Sequence, residues 1–181
     1  SLFLDFKHRF TTGEEIFFLI LSIRDILMKY SSIENFFMDC TLNDNNYFIA
    51  TIRSFVKELT KYFPKNKTYL IPNPNDGSAC KRLMLYFRWM VRQDEVDIGC
   101  LKSVSAKKLI IPLDTHMYFI STKLGFTNRK SADFKTAMEI TAKFNEINDE
   151  DPIKYDFALT RFGIREDFEY ISKYSPYDNI G

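Results

Sequence analysis

Lys81 and Asp114 are the two residues of this sequence whose types and positions suit amine chemistry. A lysine and a carboxylate held together in a cleft of low dielectric constant can produce a nucleophilic amine, because desolvation disfavours the charged ammonium. The lysine follows the glycine turn of residues 77–80, and the aspartate follows Ile111-Pro112-Leu113, so each is expected at the start of a helix. The spacing also allows a plainer interpretation, in which Lys81 is a solvated surface lysine and Asp114 an ordinary N-cap.

The helices that position this pair are predicted from capping patterns and apolar periodicity. Thr12 and Glu15 form a capping-box pattern that opens a helix reaching about Lys29, and Ser31 with Glu34 predicts a second, short one. Further helices are predicted at residues 48–63, ended by Pro64; 78–92; 114–124, ended by Gly125; 131–147; and 151–162, opened by Asp151-Pro152. Residues 93–113 are expected to be irregular, with one turn near residues 96–100.

The fold class that these patterns predict is all-α, with six to eight helices and no sheet, since no alternating strand pattern occurs. Residues 1–181 are expected to form a single helical domain. Two lobes within it, 1–63 and 78–163, would be joined by the Pro/Asn-rich segment 64–77, an ordered loop in which Tyr69, Leu70 and Ile71 need burial. The helix at 78–92 is apolar around most of its circumference and should be the central one.

Composition and charge restrict the possible functions. The chain is 45% apolar and 16% aromatic, which is typical of a globular protein, and its net charge of +1 means that a nucleic-acid-binding face would have to be local. The cysteines are three in number and widely separated, which predicts a reducing, cytoplasmic location and no metal site. The apolar run near residue 20 is too short to span a membrane. Asp94, Glu95 and Asp97 are predicted to be turn and cap residues.

Two segments resemble the helix-hairpin-helix DNA glycosylases. Residues 111–117, IPLDTHM, followed by residues 123–127, KLGFT, are similar to the "V-D-T-H-V … R-L-G-L" segment of that superfamily. The interval of 33 residues between Lys81 and Asp114 resembles that of its archaeal 8-oxoguanine glycosylase branch. Only Gly77 stands where these glycosylases carry a glycine-rich hairpin.

A more extensive resemblance covers most of the chain. Residues 77–96 and 109–163, together with 12–15 and 151–157, are similar to an uncharacterised bacterial family, domain of unknown function 2400. The resemblance implies a glycosylase-like helical bundle without an iron–sulfur cluster or other cofactor. Because relatives of this kind carry more chain upstream, N-terminal helices of the bundle are expected to be missing from this sequence.

The resemblance implies a base-excision glycosylase with AP-lyase activity. Lys81 would attack C1′ of a flipped-out damaged nucleotide in double-stranded DNA, and the resulting Schiff base would lead to strand cleavage. Asp114 would help to deprotonate Lys81 and stabilise positive charge on the sugar. Gly77 and Ser78 would present backbone N–H groups to a phosphate.

Other candidate residues flank this pair. Lys107, Lys108, Arg129 and Lys130 could bind DNA phosphates or form an ordinary solvated face. Tyr86 and Trp89 are candidates for stacking on the base, although core packing is the simpler interpretation. His116 is interpreted as a packing residue.

Two further functions remain compatible with the sequence. The chain could be a non-catalytic DNA- or RNA-binding helical protein of the same fold, or a purely structural interaction domain. The lysine favours an enzyme, because a binding module needs no such residue beside Asp114, whereas the low net charge favours the alternatives. The sequence leaves the damaged base and the oligomeric state open.

Overall fold

The computed structural model describes residues 5–41, 49–66 and 68–164, and this part of the chain is mostly helical. Its seven α-helices are α1 Gly13–Tyr30, α2 Ile33–Thr41, α3 Ile49–Leu59, α4 Lys81–Val91, α5 Thr115–Lys123, α6 Phe134–Ile147 and α7 Asp156–Ile164. Short 3₁₀ turns lie at Pro64–Asn66, Pro74–Asp76 and Ala106–Lys108. The mostly helical class and the number of helices confirm the sequence-based predictions.

A small antiparallel hairpin precedes α1, so the prediction that the chain has no sheet is wrong. Strand β1, Lys7–His8, pairs with β2, Thr11–Thr12, across a turn in which Arg9 has a φ of 54°. The strands have only two residues each, which is too short for an alternating apolar pattern to appear in the sequence.

Capping explains where α1 and α2 begin. Thr12 and Glu15 form the predicted capping box at the start of α1. The second predicted box is wrong, because Ser31 takes a left-handed conformation and ends α1. The Ser32 hydroxyl accepts the Asn35 N–H instead, and Glu34 accepts the backbone N–H of Ser103 at 2.8 Å, so this acid ties α2 to the loop after α4.

Three of the later helices begin beyond their predicted starts. The predicted helix at 78–92 begins only at Lys81, because Cys80 has a φ of 53° and breaks helical geometry before it. Asp133, and not Ser131, is the N-cap of α6. The Asp151-Pro152 pair precedes a turn, and α7 begins at Asp156.

The ends of two helices also differ from the prediction. Helix α3 ends at Leu59, since residues 60–62 form turns before Pro64. Helix α7 continues through Gly163, at which the sequence predicted its end. The predicted start of α3 at Phe48 and the tail after residue 164 lie outside the described residues.

Helix α4 lies at the centre of the hydrophobic core. The Phe87 ring contacts Phe37 of α2 and Phe55 of α3, with centroids 5.2 and 5.6 Å apart. The same core cluster contains residues from both predicted lobes, from Ile26 to Ile153. The 64–77 loop contributes the buried Ile71, whereas Tyr69 of the same loop is exposed, contrary to prediction.

Gly99 allows the turn after α4 to pack closely against the end of that helix. Its φ is +65°, and a Cβ placed there would lie 2.6 Å from the Gln93 Cβ and 2.8 Å from the Arg92 oxygen. Its N–H donates to the Trp89 oxygen at 3.0 Å. Any side chain at this position therefore has to move the turn.

Gly99→Ala is expected to lower the free energy of unfolding by about 2–4 kcal/mol, measured by urea titration, because it combines backbone strain with a steric clash. Gly77→Ala is the matched control. Gly77 also has a positive φ, +80°, but nothing lies within 4 Å of its Cβ position. Gly77→Ala should therefore lower the free energy of unfolding by only about 1 kcal/mol, because the left-handed conformation alone opposes it. Equal losses in the two variants would contradict the packing argument.

Candidate functional site

Lys81 and Asp114 form a salt bridge between the starts of two helices. The Lys81 Nζ lies 2.9 Å from Asp114 Oδ2. Lys81 is the first residue of α4, and Asp114 is the N-cap of α5, where its Oδ1 accepts the Met117 N–H at 2.8 Å. The convergence anticipated from the sequence is therefore present, and Asp114 also has the capping role of the plainer interpretation.

The segment before α5 holds Asp114 in place because it is buried in the core. Residues 109–113 are all buried, although they form no helix or strand. The Ile111 N–H donates to Thr141 Oγ1 of α6 at 3.0 Å, and that hydroxyl donates to the Ala137 oxygen at 2.6 Å. This hydrogen-bonded, apolar anchor fixes the point at which the Asp114 carboxylate emerges.

The pair lies at the protein surface, and its two members differ in exposure. The side chain of Lys81 is 44% exposed and that of Asp114 is 15% exposed. Burial by itself raises the pKa of Asp114, but the Met117 N–H, the Lys81 ammonium and His116 together bring it below its usual value. A nucleophilic lysine requires a site of low dielectric constant, whereas the free protein presents a partly solvated ion pair.

The predicted role of His116 as a packing residue is wrong. Its side chain is exposed, and it is close enough to Asp114 to act on that carboxylate electrostatically. The residue lies in the first turn of α5, on the side that faces solvent.

The phosphate-binding candidates Gly77, Ser78 and Arg129 lie together near the start of α4. Gly77 and Ser78 are exposed, and the Ser78 backbone forms an isolated antiparallel bridge with Asp133. The Arg129 guanidinium binds Asp133 Oδ2 at 2.8 Å, while its backbone oxygen accepts the Tyr118 hydroxyl of α5 at 2.6 Å. These contacts connect the Ser78 loop, α5 and the start of α6, and Lys130 is exposed beside them.

Lys107 belongs to a different part of the surface. Its ammonium binds Glu150, next to Asp151, whose carboxylate binds Arg92 at 2.9 Å. Arg92 follows the last residue of α4, so Lys107 lies toward the opposite end of that helix from Lys81. Lys108 is half-buried in the Ala106–Lys108 turn. The structure therefore divides the four predicted cations and does not gather them into one rim.

The two base-stacking candidates, Tyr86 and Trp89, also have different surroundings. Tyr86 is half-buried, and its ring stacks on Phe55 at 5.9 Å with an interplanar angle of 18°. It lines an apolar cavity of about 330 Å³ between α1, α3 and α4. Trp89 is 48% exposed and is not among the residues lining that cavity.

A buried charge network on α4 was missed by sequence reasoning. Arg88 and Arg92 are both buried, and both bind Asp97 Oδ2, Arg88 through its Nε at 3.0 Å. Arg88 also binds Asp156 Oδ2 at 2.5 Å. Asp97 lies in the predicted turn, where its N–H donates to the Asp94 carboxylate, and it is also a buried ion-pair residue, which was not predicted. The available signal was two arginines four residues apart in the otherwise apolar stretch 83–92 of the predicted helix.

Asp156 connects this network with the Lys81–Asp114 pair. Burial raises the pKa of Asp156 to about 6, the Arg88 guanidinium opposes the increase, and Asp114 adds to it. Helices α5 and α7 pack together, and Asp114 and Asp156 stand at their respective starts. Among the residues that the structure describes, no group of histidine, cysteine and acidic side chains forms a metal site, and no helix is long and apolar enough to cross a bilayer.

Asp156→Asn is expected to change how stability depends on pH. Since the ordinary pKa of an aspartate here is 3.8 and that of Asp156 is about 6, the folded protein binds the additional proton between these values. The free energy of unfolding of the wild-type protein should therefore fall as pH rises from 4 to 6. The contribution of Asp156 to this fall is on the order of 2 kcal/mol. Asp156→Asn should remove that loss.

The measurement is urea unfolding of both proteins at several pH values. Asp114, whose pKa is lowered, instead increases the free energy of unfolding as pH rises, and it does so mainly below pH 4. A difference between wild type and variant that stays constant from pH 4 to 6 would contradict the assignment.

Comparison with known proteins identifies a family and no individual relative. No curated protein and no solved structure matches the chain. The model of the family described as "Protein of unknown function (DUF2400)" matches residues 1–165, which is most of the 181-residue chain. This protein therefore belongs to the DUF2400 family.

Proposed function

We propose that this protein is a DNA glycosylase with AP-lyase activity that uses Lys81 as its nucleophile. The observation that carries the proposal is the 2.9 Å contact between Lys81 Nζ and Asp114 Oδ2 at the starts of α4 and α5. The same proposal includes a glycosylase-like helical bundle as the fold and double-stranded DNA with a damaged base as the substrate. It also includes chemistry without a cofactor.

In the proposed reaction, Lys81 Nζ passes a proton to Asp114, which supplies it to the departing base, and Nζ forms a bond to C1′ of an extruded nucleotide. The bond between C1′ and the base breaks, and the base leaves with the bonding electrons and takes up a proton. Opening of the sugar ring then produces a Schiff base between Nζ and C1′, from which β-elimination cleaves the strand. Asp114 stabilises positive charge on the sugar as the base departs.

Substrate binding has to complete this site, because the Lys81 side chain is 44% exposed in the free protein. DNA docked over α4 would exclude water from the ion pair and strengthen the electrostatic effect of Asp114. The exposed Gly77–Ser78 backbone and the nearby Lys130 are suited to holding phosphates on one side of Lys81. The predicted phosphate contact of Lys107 would lie farther along α4.

A non-catalytic DNA- or RNA-binding protein is the second candidate. The partly solvated Lys81–Asp114 pair favours it, because a charged ammonium in contact with water is not a nucleophile. Under this alternative, Lys81 would be one of several phosphate-binding cations.

Borohydride trapping on a panel of duplexes, each carrying one oxidised or alkylated base, tests the proposal. A Schiff base is reduced to a stable covalent complex that migrates slowly in denaturing gels. The expected result is trapping on one lesion or a small group of lesions. Binding to the duplexes without trapping on any lesion would favour the second candidate.

A further inference from the structure

Two cavities lie next to the start of α4 and share part of their lining. The apolar cavity described above, about 330 Å³, includes Pro72 and Arg82 in its lining. Both residues also line a second, more polar cavity of about 580 Å³. The second cavity extends to Ser78, three residues before Lys81. We call the two together the α4 cleft.

The apolar compartment of the α4 cleft suits a flat ring. Leu19 and Ile23 of α1 line it together with Leu83 and Tyr86 of α4, and the Tyr86 ring stacks on Phe55 with an interplanar angle of 18°. Its volume is at the lower end of the range found for small-molecule sites. A rigid aromatic wall favours a planar ligand, because stacking requires little loss of side-chain freedom.

The polar compartment is held in shape by hydrogen bonds. Glu15 Oε2 accepts the Thr12 N–H at 3.0 Å, and its Oε1 accepts the Thr68 hydroxyl at 2.6 Å. The Asn73 Oδ1 accepts the Asn75 N–H. Each of these acceptor atoms therefore already has one donor within the protein, and the Asp76 carboxylate also lines the compartment.

Arg82 stands between the two compartments and is the cation that lines both. Its guanidinium donates to the backbone oxygen of Tyr69. A guanidinium carries five N–H donors, so others can meet a ligand oxygen. The cleft therefore matches a planar ring that carries a carbonyl oxygen at its edge.

We infer that the α4 cleft receives the base of the extruded nucleotide, with the ring in the apolar compartment beside Tyr86 and a carbonyl oxygen of the base hydrogen-bonded by Arg82. This inference rests on the proposed function, since it places the sugar at Lys81, which precedes Arg82 in the chain and itself lines neither cavity. It assigns Arg82 as the residue that distinguishes an oxo group from an amino group. Tyr69 lines the polar compartment, and its exposed ring lies 5.6 Å from that of Phe10, so the two rings can stack on a neighbouring base.

Free bases test this inference without any need for catalysis. Hypoxanthine and adenine have nearly the same shape but carry an oxo and an amino group at the same position. Titration followed by ligand-observed NMR should show that hypoxanthine binds about tenfold more tightly than adenine, the scale of one charge-assisted hydrogen bond. Equal binding, tighter binding of adenine, or no binding of either base would overturn the inference.

Two variants place the binding in the α4 cleft. Arg82→Gln should remove the preference for hypoxanthine, and because Arg82 is exposed this variant is expected to fold. Ile23→Trp places an indole in the apolar compartment and should weaken binding of both bases by at least about tenfold. Arg53→Gln, at an exposed position of α3 outside the cleft, is the matched control and should bind as the wild type does.

The outcomes separate this inference from the proposed function. Binding that is unchanged in Arg82→Gln overturns the inference even if Ile23→Trp fails to fold, as circular dichroism would reveal. Wild-type protein that traps a lesion but binds no free base overturns the inference alone. Protein that binds hypoxanthine in the α4 cleft but traps no lesion overturns the proposed function and leaves the base site in place.

Discussion

Replacing Lys81 with glutamine is expected to abolish the covalent complex that borohydride traps between this protein and lesion-bearing DNA. The amide of glutamine is not a nucleophile and cannot form a Schiff base, so the loss should be complete and not partial. DNA affinity should fall only modestly, because one lost cation removes at most about one phosphate equivalent from the salt dependence of binding. Trapping is read from denaturing gels, and affinity from titrations at several salt concentrations.

Lys57→Gln provides the matched control for this substitution. Lys57 is an exposed lysine near the end of α3, so its replacement changes net charge equally without altering the Lys81–Asp114 pair. The structure also limits the cost to stability, because Lys81 is 44% exposed and exposed ion pairs contribute about 0–1 kcal/mol. A folded Lys81→Gln protein that still traps DNA would refute the role of this lysine.

Asp114→Asn is expected to slow base release by at least about 100-fold, close to 3 kcal/mol, which is typical of a lost electrostatic contribution to catalysis. The substitution removes the negative charge that faces Lys81 but keeps an oxygen that can accept the Met117 N–H. Binding should stay the same or become slightly tighter, since one negative charge near the DNA backbone is removed. Single-turnover measurement of base release separates this step from product dissociation.

The N-cap role of Asp114 determines which substitution is informative. Asparagine caps helices nearly as well as aspartate, whereas alanine would also destabilise α5 by about 1 kcal/mol. Asp133→Asn makes the same change at the N-cap of α6, where Oδ1 accepts the Thr136 N–H at 2.9 Å. Asp133→Asn should unfold at the lower urea concentration of the two, because Asp133 Oδ2 also accepts hydrogen bonds from Arg129 and Ser131. Base release by Asp114→Asn at the wild-type rate would exclude the proposed contribution of the carboxylate.

Local sequence patterns were sufficient to predict most of the helices and the N-cap role of Asp114. The capping box of Thr12 and Glu15 and the cap at Asp114 depend on contacts within one helical turn, so the residue types alone predict them. The same patterns misplaced the start of α4, because the left-handed conformation of Cys80 has no signature in its residue type. The pairing of β1 with β2 was missed for a similar reason, since each strand has only two residues.

Tertiary structure alone decided which distant side chains meet. Core packing was the simpler interpretation of Trp89, and burial was expected for Tyr69 of the 64–77 loop. Their exposed fractions are instead 48% and 74%, while Arg88 is buried. Whether an arginine can be buried depends on carboxylates from other elements, here Asp97 and Asp156, and no local pattern reveals that they converge.

The distribution of charge around the candidate site was decided in the same way. Arg129 is brought toward the start of α4 by the bridge between Ser78 and Asp133, whereas Lys107 is drawn to Glu150 near the other end of the helix. The sequence determines that these residues are cations, and it also predicts that Asp114 caps α5. The chain path determined their neighbours, because contacts between residues far apart in sequence form only when the whole core packs.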